Sequence, residues 1–252
     1  MIAILAPSKT MDFESDSMTL PQKIHPLFKK NTESIVKHLK LFSIEELMAL
    51  MKISKKIAEE NHQRFRDFSY GSLPDRQRPS VFAFQGDVYK GLDAQSFNAE
   101  DLLAAEGSIR ILSGLYGMLS PFTMIEAYRF EMGLKFDAIK ASAFWKGLVT
   151  DELNSILSNK KNKIIIDLAS AEYMAAIDKK KLDAKIIDIV FRENRDGNLK
   201  TIAVFAKKAR GMMARYIVKE RVKTIDALKE FNREEYLFDA ALSTENSFVF
   251  VR

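Results

Sequence analysis

Between Ile109 and Gly133 the chain reads IRILSGLYGMLSPFTMIEAYRFEMG, and the residue types in this stretch could do chemistry. Ser113, Tyr116 and Tyr128 bring hydroxyls, Arg129 a fork of donors suited to phosphate or carboxylate, and Glu131 a carboxylate able to act as acid or base. Gly114 and Gly117 break the apolar run sharply, because glycine reaches backbone conformations that a side chain forbids. The plainer alternative is a strand, a tight turn and a helix with ordinary surface residues. Local pattern alone leaves both open.

The same grouping recurs along the chain. Apolar runs that read as buried strands end at Ala6, Phe84, Leu112, Leu168 and Phe205, and each is followed by functional side chains. Lys9 and Thr10 follow the first, Asp87 and Tyr89 the second, and Ser113 and Tyr116 the third. Ser170 and Glu172 follow the fourth, and Lys207, Lys208 and Arg210 the fifth. In open α/β sheets ligands bind beyond the carboxyl ends of the strands, so parallel strands would bring these clusters into one crevice. Polar loops after strand ends are also what any fold supplies.

Two further features favour an anionic partner. The stretch 207–223 carries seven basic residues against Glu220, with Lys208, Arg215, Lys219 and Lys223 near one helical face. Such a face can follow a phosphate backbone, although a charge run is more often a solvated surface. Helices expected over 44–52 and 57–67 form a candidate helix-hairpin-helix that would offer Lys55, Lys56 and helix N-terminal amides to a phosphate. The usual Gly-apolar-Gly hairpin is absent, and Ser54 stands where a glycine is expected.

The elements that must position these groups follow from periodicity. Strands are expected at 2–6, 81–84, 109–112, 163–168, 185–191 and 199–205, with SFVFVR closing the chain as an edge strand. Asp196-Gly197 between two apolar runs signals a hairpin. A loop is expected over 12–23 and another over 71–79. Helical spacing runs through 24–67, from Asn98 to about Glu106, through 142–158, from about Lys207 to Lys223 and near 225–231. Ser43 with Glu46 fits a capping box. With no repeat and no linker, the pattern implies a single α/β domain over 1–252, with a central mixed sheet and 24–67 as a helical insertion.

Composition sets the outer limits. The 252 residues are 47% hydrophobic with 18 phenylalanines, enough for a large core. The absence of cysteine excludes disulfides, thiol catalysis and thiolate metal sites. His25, His38 and His62 lack metal-ligand spacing, so no metal site and no cofactor are expected. No Walker A or dinucleotide fingerprint occurs. The start MIAILAPSKT lacks a basic n-region, and no apolar run could span a bilayer, so a cytoplasmic location without a membrane partner is the expectation.

Six motifs in order, LAPSKTMD, FQGDVYKGL, LSGLYGMLSP, YRFEMG, DLASAEY and KKARGMMARY, resemble the YaaA family over almost the whole chain. That resemblance implies a mixed α/β domain with a helix-hairpin-helix and a positively charged cleft. It also implies binding of double- and single-stranded DNA with little sequence preference, in bacterial cytoplasmic proteins linked to peroxide stress. Carried over by motif, the cleft would include Lys9, Asp87, Tyr89, Ser113, Tyr116, Tyr128, Arg129, Glu131, Ser170, Lys207, Lys208 and Arg210. The sequence departs from the family pattern at Ser8, Ala127 and Asp167, where alanine, proline and asparagine are usual. The leading expectation is a DNA-binding protein of the oxidative stress response. The alternative is an enzyme acting on a nucleobase, nucleotide or damaged DNA site in the same cleft.

Overall fold

The computed structural model describes residues 1–15 and 20–252, so part of the expected 12–23 loop lies outside the described residues. β1 (Ile2–Leu5) is buried along its whole length. The helical excursion that follows holds α1 (Lys29–Leu39), α2 (Ile44–Met51) and α3 (Lys55–Arg66). Ser43 caps α2 in a capping box, accepting from Glu46 N while the Glu46 carboxylate accepts from Ser43 N at 2.7 Å. Lys52, between α2 and α3, takes a positive φ of 53° in place of a hairpin glycine.

A two-residue strand β2 (Arg78–Pro79) then leads into α4 (Ser80–Ala83), α5 (Asp87–Leu92) and α6 (Ala99–Ser108). After them come β3 (Ile109–Ser113), β4 (Gly117–Leu119), β5 (Met124–Ile125), β6 (Lys135–Phe136) and β7 (Ile139–Lys140). α7 (Ala141–Ser158), β8 (Ile164–Leu168) and α8 (Ala171–Met174) lead to the hairpin β9 (Lys185–Arg195) and β10 (Asn198–Lys200). α9 (Ala203–Lys219), α10 (Ile225–Lys229), β11 (Leu237–Thr244) and β12 (Ser247–Val251) complete the chain.

The main sheet has the order β11-β12-β9-β8-β1-β3-β4, with β10 on β9. β3, β1, β8, β9 and β12 run parallel, while β4, β10 and β11 join antiparallel at the periphery. This is the mixed α/β sheet that alternating strands and helices imply. The chain leaves β1 for β3 on one side and returns through α7 to β8 on the other. The carboxyl end of β1 is therefore a topological switch point, where such sheets open a crevice.

Five expectations need correction. Val81–Phe84 is not a strand: Ser80–Ala83 makes one helical turn, pinned where Ser80 N donates to Thr123 O at 2.8 Å and Ser80 Oγ to Ser120 O at 2.7 Å. A short apolar run buried on every side carries no periodicity to tell the two apart. The 199–205 strand stops at Lys200, and Ala203–Phe205 open α9. That helix starts and ends earlier than 207–223, so Lys207 and Arg210 lie beyond its first turn, where the helix dipole would disfavour a cation. β12 is an interior strand, because β11, not foreseen in the sequence, covers its outer side. The 71–79 loop ends in β2, where Arg78 is buried and donates to Ser15 O at 2.6 Å.

Candidate functional site

The residues after β1 set the first wall. Gln85 N donates to Thr10 O at 3.0 Å and Asp12 N to Ala83 O at 2.8 Å, which draws Pro7–Lys9 alongside Gln85–Asp87. Gly86 closes that approach with a φ of +102°, and a Cβ there would stand 2.9 Å from Ser8 Oγ. Tyr89 Oη donates to Ala6 O at 3.0 Å and locks α5 onto the end of β1.

The second wall depends on two glycines facing each other. A Cβ on Gly91 would lie 2.1 Å from Lys208 O, and one on Gly211 would lie 1.8 Å from Val88 O. α5 and α9 thus touch backbone to backbone, which brings Asp87 and Tyr89 opposite Lys207 and Arg210. Only glycine permits this approach.

The third wall comes from the stretch after β5. A Cβ on Gly114 would fall 2.2 Å from Phe130 O, so the turn after β3 makes room for Tyr128–Glu131. Ser113 Oγ and Tyr128 Oη are hydrogen-bonded at 2.6 Å, Tyr116 N donates to Ser113 Oγ at 2.9 Å, and Trp145 Nε1 donates to Gly114 O at 2.7 Å. Glu172 completes the rim by accepting from Gly133 N at 2.8 Å.

These walls enclose a cavity of about 300 Å³ at the end of β1, lined by Lys9, Asp87, Tyr89, Tyr128, Arg129, Glu131, Ser170, Glu172, Lys207 and Arg210 among others. Its apolar lining includes Pro7, Val88, Phe130, Leu168 and Tyr173. Glu131 is its electrostatic centre: Oε1 accepts from Arg129 Nε at 3.2 Å and lies 3.5 Å from Lys9 Nζ. Glu131 Oε2 and Arg210 Nε are buried without a hydrogen-bond partner. Burial raises the phenols of Tyr89, Tyr116, Tyr128 and Tyr173 above their ordinary value, so none of them is suited to act as a base. Below the rim, burial pushes the Asp167 carboxyl up to about 6, against the opposing hydrogen bond from Ala169 N, and Asp188 on the neighbouring strand adds to the rise.

The structure does not gather every candidate. Ser113, Gly114, Tyr116 and Gly117 lie beneath the cavity as buried support, with Gly117 packed on the Trp145 ring at a φ of +74°. Thr10 is exposed and outside the lining. Lys208 and Arg215 turn to the other side of α9, where Lys208 Nζ donates to Glu234 and Arg215 lies 3.3 Å from Asp93. Lys55 and Lys56 are exposed at the start of α3, and Lys55 stands 3.9 Å from Glu59. Sequence reasoning missed Phe130 and Tyr173 as walls, although both sit inside quoted motifs. Among the described residues no cluster of His, Asp and Glu is placed to hold a metal ion.

Comparison with known proteins covers almost the whole chain. The sequence profile described as peroxide stress protein YaaA matches residues 1–242. A UPF0246 protein of Francisella philomiragia is 42% identical over 257 residues, covering 100% of both chains. A namesake from Flavobacterium johnsoniae is 44% identical over 255 residues, again with 100% of each covered. One from Alteromonas mediterranea is 40% identical over 255 residues, with 100% of this chain and 98% of the relative aligned. A profile match spanning nearly the whole sequence, joined to such relatives, places the chain in the peroxide stress protein YaaA family.

Proposed function

We propose that the chain binds DNA through the mouth of this cavity and acts by that binding in the peroxide stress response. The observation that carries the reading is the convergence of Lys9, Arg129, Lys207 and Arg210, from three separate stretches, on one opening. Lys9 and Lys207 are exposed there and suit backbone phosphates, which gives affinity with little sequence preference. The α2–α3 hairpin, with Lys55 and Lys56, offers a second phosphate contact on the same reading. The family's description supplies the physiological setting.

Fluorescence anisotropy with labelled duplex and single-stranded oligonucleotides tests it. Binding should weaken steeply with salt, and Lys207→Glu should cost at least about tenfold in affinity. Lys208→Glu, already neutralised by Glu234, should cost less than about threefold. Salt-independent binding, or an inert Lys207→Glu, sinks the proposal.

A second reading is an enzyme acting on a nucleobase, nucleotide or damaged site. What favours it is the presence of Asp87, Glu131 and Glu172 in the lining, since a purely electrostatic groove has no use for carboxylates. Absence of turnover on abasic, mismatched and oxidised oligonucleotides counts against it.

A further inference from the structure

We propose that the cavity is a nucleobase pocket that selects a base edge carrying N–H groups, guanine best of all, an inference that rests on the DNA-binding reading above. The walls come first. Val88, Tyr89, Phe130, Leu168 and Tyr173 give the cavity a largely apolar, aromatic lining, suited to a flat ring system. Its volume of about 300 Å³ is too small for a duplex and far larger than one water needs.

Two buried polar atoms of lining residues have nothing to bond. Glu131 Oε2 is a buried acceptor and Arg210 Nε a buried donor, both without a partner. Leaving such groups unpaired costs their full desolvation, so a ligand that supplies both partners gains directly. Glu131 Oε1 is already committed to Arg129 Nε and Lys9 Nζ, which fixes the carboxylate and leaves Oε2 to take an N–H from a ligand. Arg210 Nε needs an acceptor. Guanine presents adjacent N–H groups at N1 and N2 beside the O6 and N7 acceptors, a complement to one carboxylate and one guanidinium. The exposed Lys9 and Lys207 at the mouth would hold the nucleotide's phosphate outside while the base is inside. A base reaches such a pocket from a single strand, or by leaving the stack.

The test compares three small phosphates on the full chain by calorimetric titration: guanosine 5′-monophosphate, purine riboside 5′-monophosphate and deoxyribose 5-phosphate. Purine riboside has the stacking surface but no N–H on its base. Guanosine monophosphate should bind at least about tenfold tighter than the purine riboside form, and deoxyribose phosphate should bind weakest. In Glu131→Gln, Arg129 and Lys9 hold the amide oxygen, so the NH2 replaces an acceptor with a donor. The ratio should then fall several-fold, the Arg210 contact to O6 being left in place. Should that variant fail to fold, Arg210→Lys, which keeps the charge and removes the Nε donor, should weaken guanosine monophosphate several-fold. Equal binding of all three phosphates by the unaltered chain overturns the inference, and so does a ratio that Glu131→Gln leaves unchanged. Duplex binding measured alongside separates the two readings. A chain that binds duplex DNA yet discriminates no monophosphate retains the backbone contact and loses the base pocket. One that discriminates monophosphates but ignores duplex retains the pocket and loses the DNA reading.

Discussion

α9 has two faces that look alike in sequence and differ in kind. On the face turned away from the cavity, Lys208 is tied to Glu234, Arg215 to Asp93, and Lys219 to Asp101 at 2.8 Å. Arg221, just past the helix, also reaches Asp101, at 3.1 Å. Each of these cations reaches a carboxylate from elsewhere in the chain, Lys219 and Arg221 sharing one. On the cavity face, Lys207 is exposed and Arg210 keeps an unsatisfied Nε, as Glu131 keeps an unsatisfied Oε2 in the same lining. The same run of basic residues is thus mostly quenched on one side and poised on the other. Summed charge along a helix is no measure of its field, because the field depends on where the opposite charges fold to.

The poised face is held in place by the crossing of α5 and α9. Gly211→Ala puts a Cβ against the Val88 carbonyl, and backbone cannot give way as a side chain can. Chemical denaturation should show a loss of about 3 kcal/mol, at the upper end for overpacking. DNA binding should fall with it as Lys207 and Arg210 leave Asp87 and Tyr89. An unchanged midpoint would mean the helices separate freely.

Asp167→Asn probes the carboxyl end of β8. A carboxyl raised to about 6 in the folded chain, from an ordinary 3.8, binds a proton that the unfolded chain releases. Its contribution is complete below pH 3.8 and lost as pH rises through 6. The variant should therefore be more stable than the parent at pH 7.5 by about 1–2 kcal/mol, with the gap closing toward pH 4. A pH-independent difference would contradict the burial argument.

On the quenched face, Asp101→Asn frees Lys219 and Arg221 and weakens the capping box that Asp101 forms with Asn98. Thermal melts should register a loss of about 1 kcal/mol. DNA affinity should rise slightly as two cations are released, and a fall would show that the pairs themselves form the contact surface. The smallest effect belongs to Lys208→Ala, which should change stability by only a few tenths of a kcal/mol, because its pair with Glu234 is solvent-exposed.

Much of this was legible in the sequence where local pattern and tertiary role coincide. Ile2–Leu5 and Ile164–Leu168 are buried parallel strands, and their apolar runs say so. Asp196-Gly197 forms the hairpin turn, both residues with positive φ. Legibility failed where burial erased periodicity, as at Ser80–Ala83, or where an apolar triplet served as a helix start, as at Ala203–Phe205. β11 was not read because Leu237–Thr244 is largely exposed and lacks the alternation of a half-buried strand. Within the site, Asp87, Lys207 and Arg210 follow apolar runs that are not strands, yet they line the cavity with Lys9 and Glu131. What brings them there is the backbone contact of Gly91 with Lys208 and of Gly211 with Val88, and a glycine's use as a spacer is invisible without its partner. Conversely, the Ser113 and Tyr116 hydroxyls resembled chemistry and are buttresses.

That contact has a mechanical side. Where two helices meet through interlocking side chains, rotamer changes give the joint some compliance. α5 and α9 meet carbonyl against Cα, with no side chain between Gly91 and Lys208 or between Gly211 and Val88. The gap between these two walls is consequently set by the van der Waals radii of backbone atoms. The cavity can then adapt to what enters it only from its other sides, through Lys9 and the Tyr128–Glu131 segment, while this side acts as a fixed jaw.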